Sequence, residues 1–214
     1  MIPKNKPGIG VVLTADLVNS TAFPPEETER RLGDMLGRLK AGTDWLLSPE
    51  VYRGDSFQGV LRTGGEALRI SLVARAILKA EHPDLDLRVA LGIGAIGRLT
   101  DRPGTSDGEA FRLSGLLADV MKKEKARIAL ALPVPSEPVK AALMLLESVV
   151  EKWTSAQAEV MLRLLTGISM SEIAEALRIS QPAVSQHAQA AKWWAVEPLI
   201  HTFDQLIQAF YSYD

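Results

Sequence analysis

Through the first 132 residues, apolar positions alternate between two spacings, one that suits strands and one that suits helices. Gly10-Val-Val-Leu-Thr-Ala-Asp-Leu is a β-branched, apolar run that stops at the turn-formers Asn19-Ser20, which predicts a strand. Pro24-Pro25-Glu26-Glu27 opens a helix with acids in its first turn. Leu32, Met35, Leu36, Leu39 and Leu46 mark the buried stripe of that helix. Glu50–Arg53 and Phe57–Leu61 flank Gly54-Asp55, a tight-turn dipeptide, and predict a hairpin. A second helix is expected from about Glu66 to Ala80, closed by His82-Pro83. A strand over Leu87–Ile96, a polar loop, a helix near Glu109–Lys123 and a strand over Arg127–Leu132 complete the series. The order β-α-β-β-α-β, with one further helix and strand, predicts the ferredoxin-like arrangement of the α/β (α+β) class, with helices on one face of a sheet.

On the strand Leu87–Ile96, Val89, Leu91 and Ile93 share one face, and Ala90, Gly92 and Gly94 share the other. A glycine-rich face lets a ligand, another backbone or a tightly packed helix come close. Pro133-Val-Pro-Ser-Glu-Pro138 is the strongest punctuation in the chain. It divides a first domain, 1–133, from a connecting helix, 134–152, and a helical domain, 153–214. The last segment ends in a stripe, Val196, Leu199, Ile200, Phe203, Leu206, Ile207 and Phe210, at i, i+3, i+4 and i+7 spacing. Such a stripe completes a core or forms a dimer seam, and the seam is the expectation taken here.

Composition narrows the classes. Hydrophobic residues at 47% of 214 supply a sizeable core, and no apolar run approaches the ~20 residues that span a bilayer. The amino-terminal residues have no apolar run with a small-residue cleavage site behind them. Zero cysteines exclude disulfides and thiolate metal sites and suit a reducing cytosol, so a cytoplasmic protein is expected.

The segment Thr154 to His187 carries the densest motif. Thr154 or Ser155 suits the start of one helix, with Val160, Leu164 and Leu165 inside, and Gly167 suits its left-handed end. Ser169 or Ser171 caps a short helix containing Ile173, Ala174 and Leu177. Ser180 caps the next, which tolerates Pro182 in its first turn. The string Glu172-Ile-Ala…Leu177-Arg-Ile-Ser…Val184-Ser-Gln-His resembles the helix-turn-helix of response regulators and sigma-factor-type modules over about forty residues. The resemblance implies binding to double-stranded DNA, with Gln181, Ser185, Gln186 and Gln189 exposed to base edges and Arg178 and Lys192 to phosphates. The charge balance runs the other way. From Glu151 onward there are four basic and seven acidic residues, a net −3 in a chain of net −2, although phosphate neutralisation usually dominates DNA affinity.

In the first domain the expected topology sets the end of the first strand beside the turn that begins the third, and so brings Asp16 to Asp55. Alone, Asp16 suits an Asx-turn with Asn19, and Asp55 suits a tight turn. Together, two carboxylates suit Mg²⁺ and a nucleotide's phosphates. Ala15-Asp-Leu-Val-Asn-Ser, Tyr52-Arg-Gly-Asp-Ser-Phe-Gln-Gly-Val-Leu, Leu87-Arg-Val-Ala-Leu-Gly-Ile-Gly and Asp107-Gly-Glu-Ala-Phe-Arg together resemble the SatD-like family. They are similar, more distantly, to class III nucleotidyl cyclases and GGDEF domains. This resemblance covers most of residues 8–132 and implies that Asp16 and Asp55 match the metal-binding aspartates of the cyclases. It also implies an asparagine and, four residues later, an arginine on the helix that begins near Gly108. Arg112 and Leu116 stand there instead, and the turn is Gly54-Asp-Ser-Phe rather than Gly-Gly-Asp-Glu-Phe. Losing a positioned donor typically costs ~10²–10³ in rate, so a catalytically degenerate domain is expected. Arg102 and Arg112 are the candidates for a nucleotide effector's phosphates. The expected protein is a homodimeric, DNA-binding transcriptional regulator. A divergent cyclase or nucleotidyltransferase and an architectural assembly protein are the rival readings.

Overall fold

The computed structural model describes residues 8–212 apart from 63 and 125. Its strands are β1 (Ile9–Val18), β2 (Trp45–Arg53), β3 (Ser56–Leu61), β4 (Asp86–Arg98), the two-residue β5 (Asp107–Gly108) and β6 (Ile128–Ala131). The helices are α1 (Pro25–Ala41), α2 (Ala67–Glu81), α3 (Glu109–Glu124), α4 (Glu137–Val150), α5 (Ser155–Leu165), α6 (Met170–Leu177), α7 (Gln181–Ala190) and α8 (Trp193–Ser212). Among the described residues no helix is long and apolar enough to cross a membrane.

The start of α1 follows its sequence, with Pro25 in the first turn beside Glu26 and Glu27 and with Leu32, Met35, Leu36 and Leu39 buried. Leu46 is not part of that stripe, as its spacing suggested. The Gly42 N–H closes the helix onto the Arg38 carbonyl, and Leu46 lies on β2. The β2–β3 hairpin turns at Gly54-Asp55, where Gly54 has φ 57°, the left-handed backbone that glycine supplies without strain.

The fold is mixed α+β. The sheet order is β2-β3-β1-β4, antiparallel throughout, as the element order predicted. β5 and β6 both pair with the outer edge of β4, β5 antiparallel and β6 parallel. The expectation of helices on one face is corrected here. Val11, Leu13 and Ala15 of β1 pack with Leu32, Leu72 and Ile77 of α1 and α2 on one face. Val12, Ala90, Ala110 and Met121 put α3 on the other. A parallel β4–α3–β6 connection must cross a face, and α1 and α2 already fill the first. Gly92 makes the crossing possible, because a Cβ there would lie 2.3 Å from the Ala110 carbonyl and 2.5 Å from the Ser114 nitrogen. Of the readings open for the glycine face, the tightly packed helix is the one observed.

The helical remainder shares this core. Ala158, Met161, Leu162 and Leu165 of α5 join the cluster that contains the β1 and β4 side chains. The α8 stripe Val196, Ile200, Phe203 and Ile207 is buried in the same cluster. That overturns the dimer seam on α8. The stripe is covered by the chain's own α2, α7 and the turn at Gly64–Glu66, and an amphipathic pattern does not specify whose surface covers it. The side chain of Phe210 lies outside the described residues. α6 and α7 stand outside this cluster, on a smaller one formed by Val160, Ile173, Val184 and Ala188.

A buried ionic cluster joins α2, β4 and α4. The Arg75 side chain is 0% exposed. Its Nε and Nη2 donate to Asp86 at 2.9 and 2.8 Å, and its Nη1 and Nη2 donate to Glu147 at 2.8 and 2.9 Å. Lys79 Nζ donates to the Glu151 carbonyl at 3.2 Å. Bidentate geometry on two carboxylates satisfies the desolvated guanidinium. Through it Arg75 holds the carboxyl of Asp86 below its ordinary value, although burial pushes the other way and is the larger influence taken singly.

Candidate functional site

The surface formed by α6, α7 and the turn between them is organised by local hydrogen bonds. Thr154 and Gln157 form a reciprocal capping box at the start of α5, and Ser169 and Glu172 form another at α6. The Ser180 hydroxyl accepts the Ala183 N–H at 3.3 Å and starts α7. Between these helices Arg178 takes φ 54°, and the Ile179 N–H returns to the Ala174 carbonyl at 3.1 Å. Each cap satisfies an N–H that the first helical turn leaves unpaired, so the angle between α6 and α7 is fixed by short-range chemistry.

Val184 and Ala188 face the core from α7, one turn apart. The opposite side presents Gln181, Ser185, Gln186 and Gln189, all exposed, with Arg178 before the helix and Lys192 after it, both also exposed. The structure thus places all six residues expected for DNA contact on the solvent side of one helix and its ends. It also locates the acidic excess. Residues 178–196 contain no aspartate or glutamate. Glu159 pairs with Arg163 at 2.7 Å. Glu172 is occupied by its capping box, and the Ser169 hydroxyl and N–H hold its carboxyl below the ordinary value. Asp204 faces Arg69 of α2 at 3.7 Å.

Asp16 and Asp55 are neighbours, as the topology required. Asp16 is in register with Ser56 on one side and Arg88 on the other, and the Leu17 N–H donates to the Asp55 carbonyl at 3.3 Å. Their side chains have other partners, however. Arg88 Nη1 donates to Asp16 Oδ2 at 2.6 Å, and the Ser20 hydroxyl donates to Asp55 Oδ2. Burial pushes the Asp16 carboxyl above its ordinary value, against the pull of Arg88 and Lys122 and with a further push from Asp55. Among the described residues no three His, Cys, Asp or Glu side chains converge. Mg²⁺ takes near-octahedral oxygen ligands, usually one or two carboxylates with waters and phosphates. Here Arg88 occupies one oxygen of Asp16 and Ser20 one oxygen of Asp55, so each carboxylate of the pair already has a partner within the protein. The Arg88 pairing was not legible because Arg88 lies on the next strand over, seventy-two residues away along the chain. The Asn19 side-chain amide donates to the Asp84 carbonyl at 3.3 Å.

The two candidate phosphate arginines are each paired locally. Arg102 Nε donates to Glu50 at 2.9 Å, and Arg112 Nη1 donates to Asp107 at 2.9 Å. The loop between them is tied by side-chain bonds, including Ser106 Oγ to the Arg102 carbonyl and the Thr100 N–H to Ser106 Oγ. Sequence reasoning missed a row of polar groups under α3. Gln58 Nε2 donates to Thr14 Oγ1, and Thr14 donates to Ser114 Oγ, both at 2.9 Å. These bonds satisfy one another, which is what buried hydroxyls require, and no pattern in the linear sequence links residues one hundred apart.

No family model matches this sequence, and no curated protein does. Among solved structures, the chain is similar to a bacterial light-regulated adenylyl cyclase at 15% identity and a TM-score of 0.45, over 57% of this chain and 43% of that one. The chain thus spans less than half the length of the cyclase structure it matches.

Proposed function

We propose that this protein is a DNA-binding transcriptional regulator in which α6 and α7 act as a helix-turn-helix. The single observation that carries the reading is α7 itself, an acid-free helix with four exposed polar side chains, framed by Arg178 and Lys192 and held by capped turns. In this reading α7 lies in the major groove. Gln186 and its neighbours meet base edges, where glutamine bonds adenine in bidentate fashion. Arg178 and Lys192 meet phosphates on either side. The first 133 residues then serve as a platform, with Asp16 held by Arg88 and no chemistry assigned to it.

Fluorescence anisotropy against genomic fragments at two salt concentrations tests the proposal. Saturable, fragment-selective binding that weakens with salt is expected. Lys192→Ala is expected to weaken binding to all fragments alike and to lower the salt slope by about 1. Gln186→Ala is expected to reduce selectivity, by about 1–3 kcal/mol at one base position. Absence of saturable binding at low salt overturns the reading, and with it the helix-turn-helix assignment.

A further inference from the structure

The outer edge of β6 opens onto a groove of about 730 Å³ between α3 and α4. Its floor is β6, which pairs with β4 on one side only among the described residues. Strand residues alternate the direction of their N–H and C=O groups, so half of the backbone groups of β6 face the groove. The walls are apolar where apolarity is least expected. Val120 of α3 is 47% exposed and Met144 of α4 is 66% exposed, and both line the groove. Leu113, Leu117, Met121, Leu130, Leu132 and Leu143 line the groove beside them. A contiguous apolar surface around an open strand edge marks a place of association.

We infer that this face binds a second copy of the same chain, with the two β6 strands pairing antiparallel about a two-fold axis. The charges at the groove select this occupant. Glu124 and Arg127 precede β6, Glu137 and Lys140 follow its end, and the remaining charged residue of the lining, Glu147, is held by Arg75. Antiparallel self-pairing brings the start of one strand to the end of the other. Arg127 then faces Glu137 of the second copy, and Glu124 faces its Lys140, twice over by symmetry. An isologous interface must be self-complementary in this way. A strongly acidic or basic partner would leave half of these charges opposed. A four-residue strand is also too short to hold an extended peptide by its backbone alone, whereas a second copy adds two more apolar helices. The inference is independent of DNA binding, since it concerns the free protein in solution.

Sedimentation velocity of the full chain from about 1 to 100 μM tests it, a range that brackets a micromolar dissociation constant. A reversible dimer is expected. The double variant Val120→Glu and Met144→Glu changes only exposed side chains, and it is expected to weaken dimerisation at least about tenfold with unchanged circular dichroism and melting temperature. Arg127→Glu alone is expected to weaken the dimer, and adding Glu137→Arg in the same chain is expected to restore it. Each result tests one element of the inference. A chain that stays monomeric throughout overturns it. So does a dimer indifferent to the apolar variant, which uses another face. Failure of the charge reversal to rescue overturns the antiparallel pairing.

Discussion

At the scale of single residues, Arg75 and Asp204 show what burial does to charge. Removing one partner of a buried ion pair leaves the other charge desolvated and alone. Arg75→Met would strand both Asp86 and Glu147, and it is expected to cost about 3–5 kcal/mol in urea denaturation. Arg75→Lys is expected to recover only part, since an ammonium does not reproduce two bidentate forks. Asp204 is the opposite case. Burial pushes its carboxyl up to about 6, although Arg69 pulls it down, and its Oδ1 is buried with no hydrogen-bond partner. The folded protein therefore holds this proton more tightly than the unfolded chain does. Stability linked to Asp204 is greatest below its ordinary value of 3.8, falls as pH rises to about 6, and stays low above that. Asp204→Asn is expected to remove this slope and raise the thermal midpoint at pH 7 relative to wild type, measured by calorimetry from pH 4 to 8. None of this was legible in the sequence. Arg75, Asp86 and Glu147 look like ordinary surface charges until the fold brings them together.

At the scale of elements, the legible parts are those whose causes are local. Ser169, Ser180 and Gly167 mark helix ends through bonds to residues within a turn, so their positions could be read directly. Ser169→Ala removes a capping box and is expected to cost about 1 kcal/mol in chemical denaturation. It should also loosen the start of α6, seen as faster amide hydrogen exchange at 171–173. The errors come from patterns whose meaning depends on distant partners. Leu46 continued the spacing of α1 because a strand after a helix can extend the apolar rhythm by chance. The α8 stripe is the same sequence whether the surface it meets belongs to its own chain or to another. The placement of α3 depended on which face was already filled. The strand order, by contrast, was legible, because one hairpin and two helical crossovers leave few alternatives. Asp16 and Asp55 could thus be predicted as neighbours, while the arginine between Asp16 and any other ligand could not.

At the scale of the molecule, the core passes through the proline-rich punctuation without dividing. Trp153, Met161, Val196 and Phe203 share one cluster with Leu13, Leu72 and Leu91. A chain built this way is expected to unfold in one cooperative step. Far-ultraviolet circular dichroism and the fluorescence of a variant that keeps only Trp45 should give coincident melting curves. Two separated transitions would show that 1–133 and 153–214 are independent folding units.

The Arg75 clamp and the shared core have a geometric corollary. α5 packs on α2, and α7 sits on α5, so α7 has no joint between itself and the sheet. In a dimer joined at β6, the gap between the two α7 helices is a fixed ruler. Half-sites displaced by half a helical turn, about 5 base pairs, present the wrong side of the duplex to one α7. With no hinge to absorb the error, the DNA must twist or the second contact is lost, so on the proposed DNA-binding reading the spacing between half-sites would become part of what such a dimer recognises.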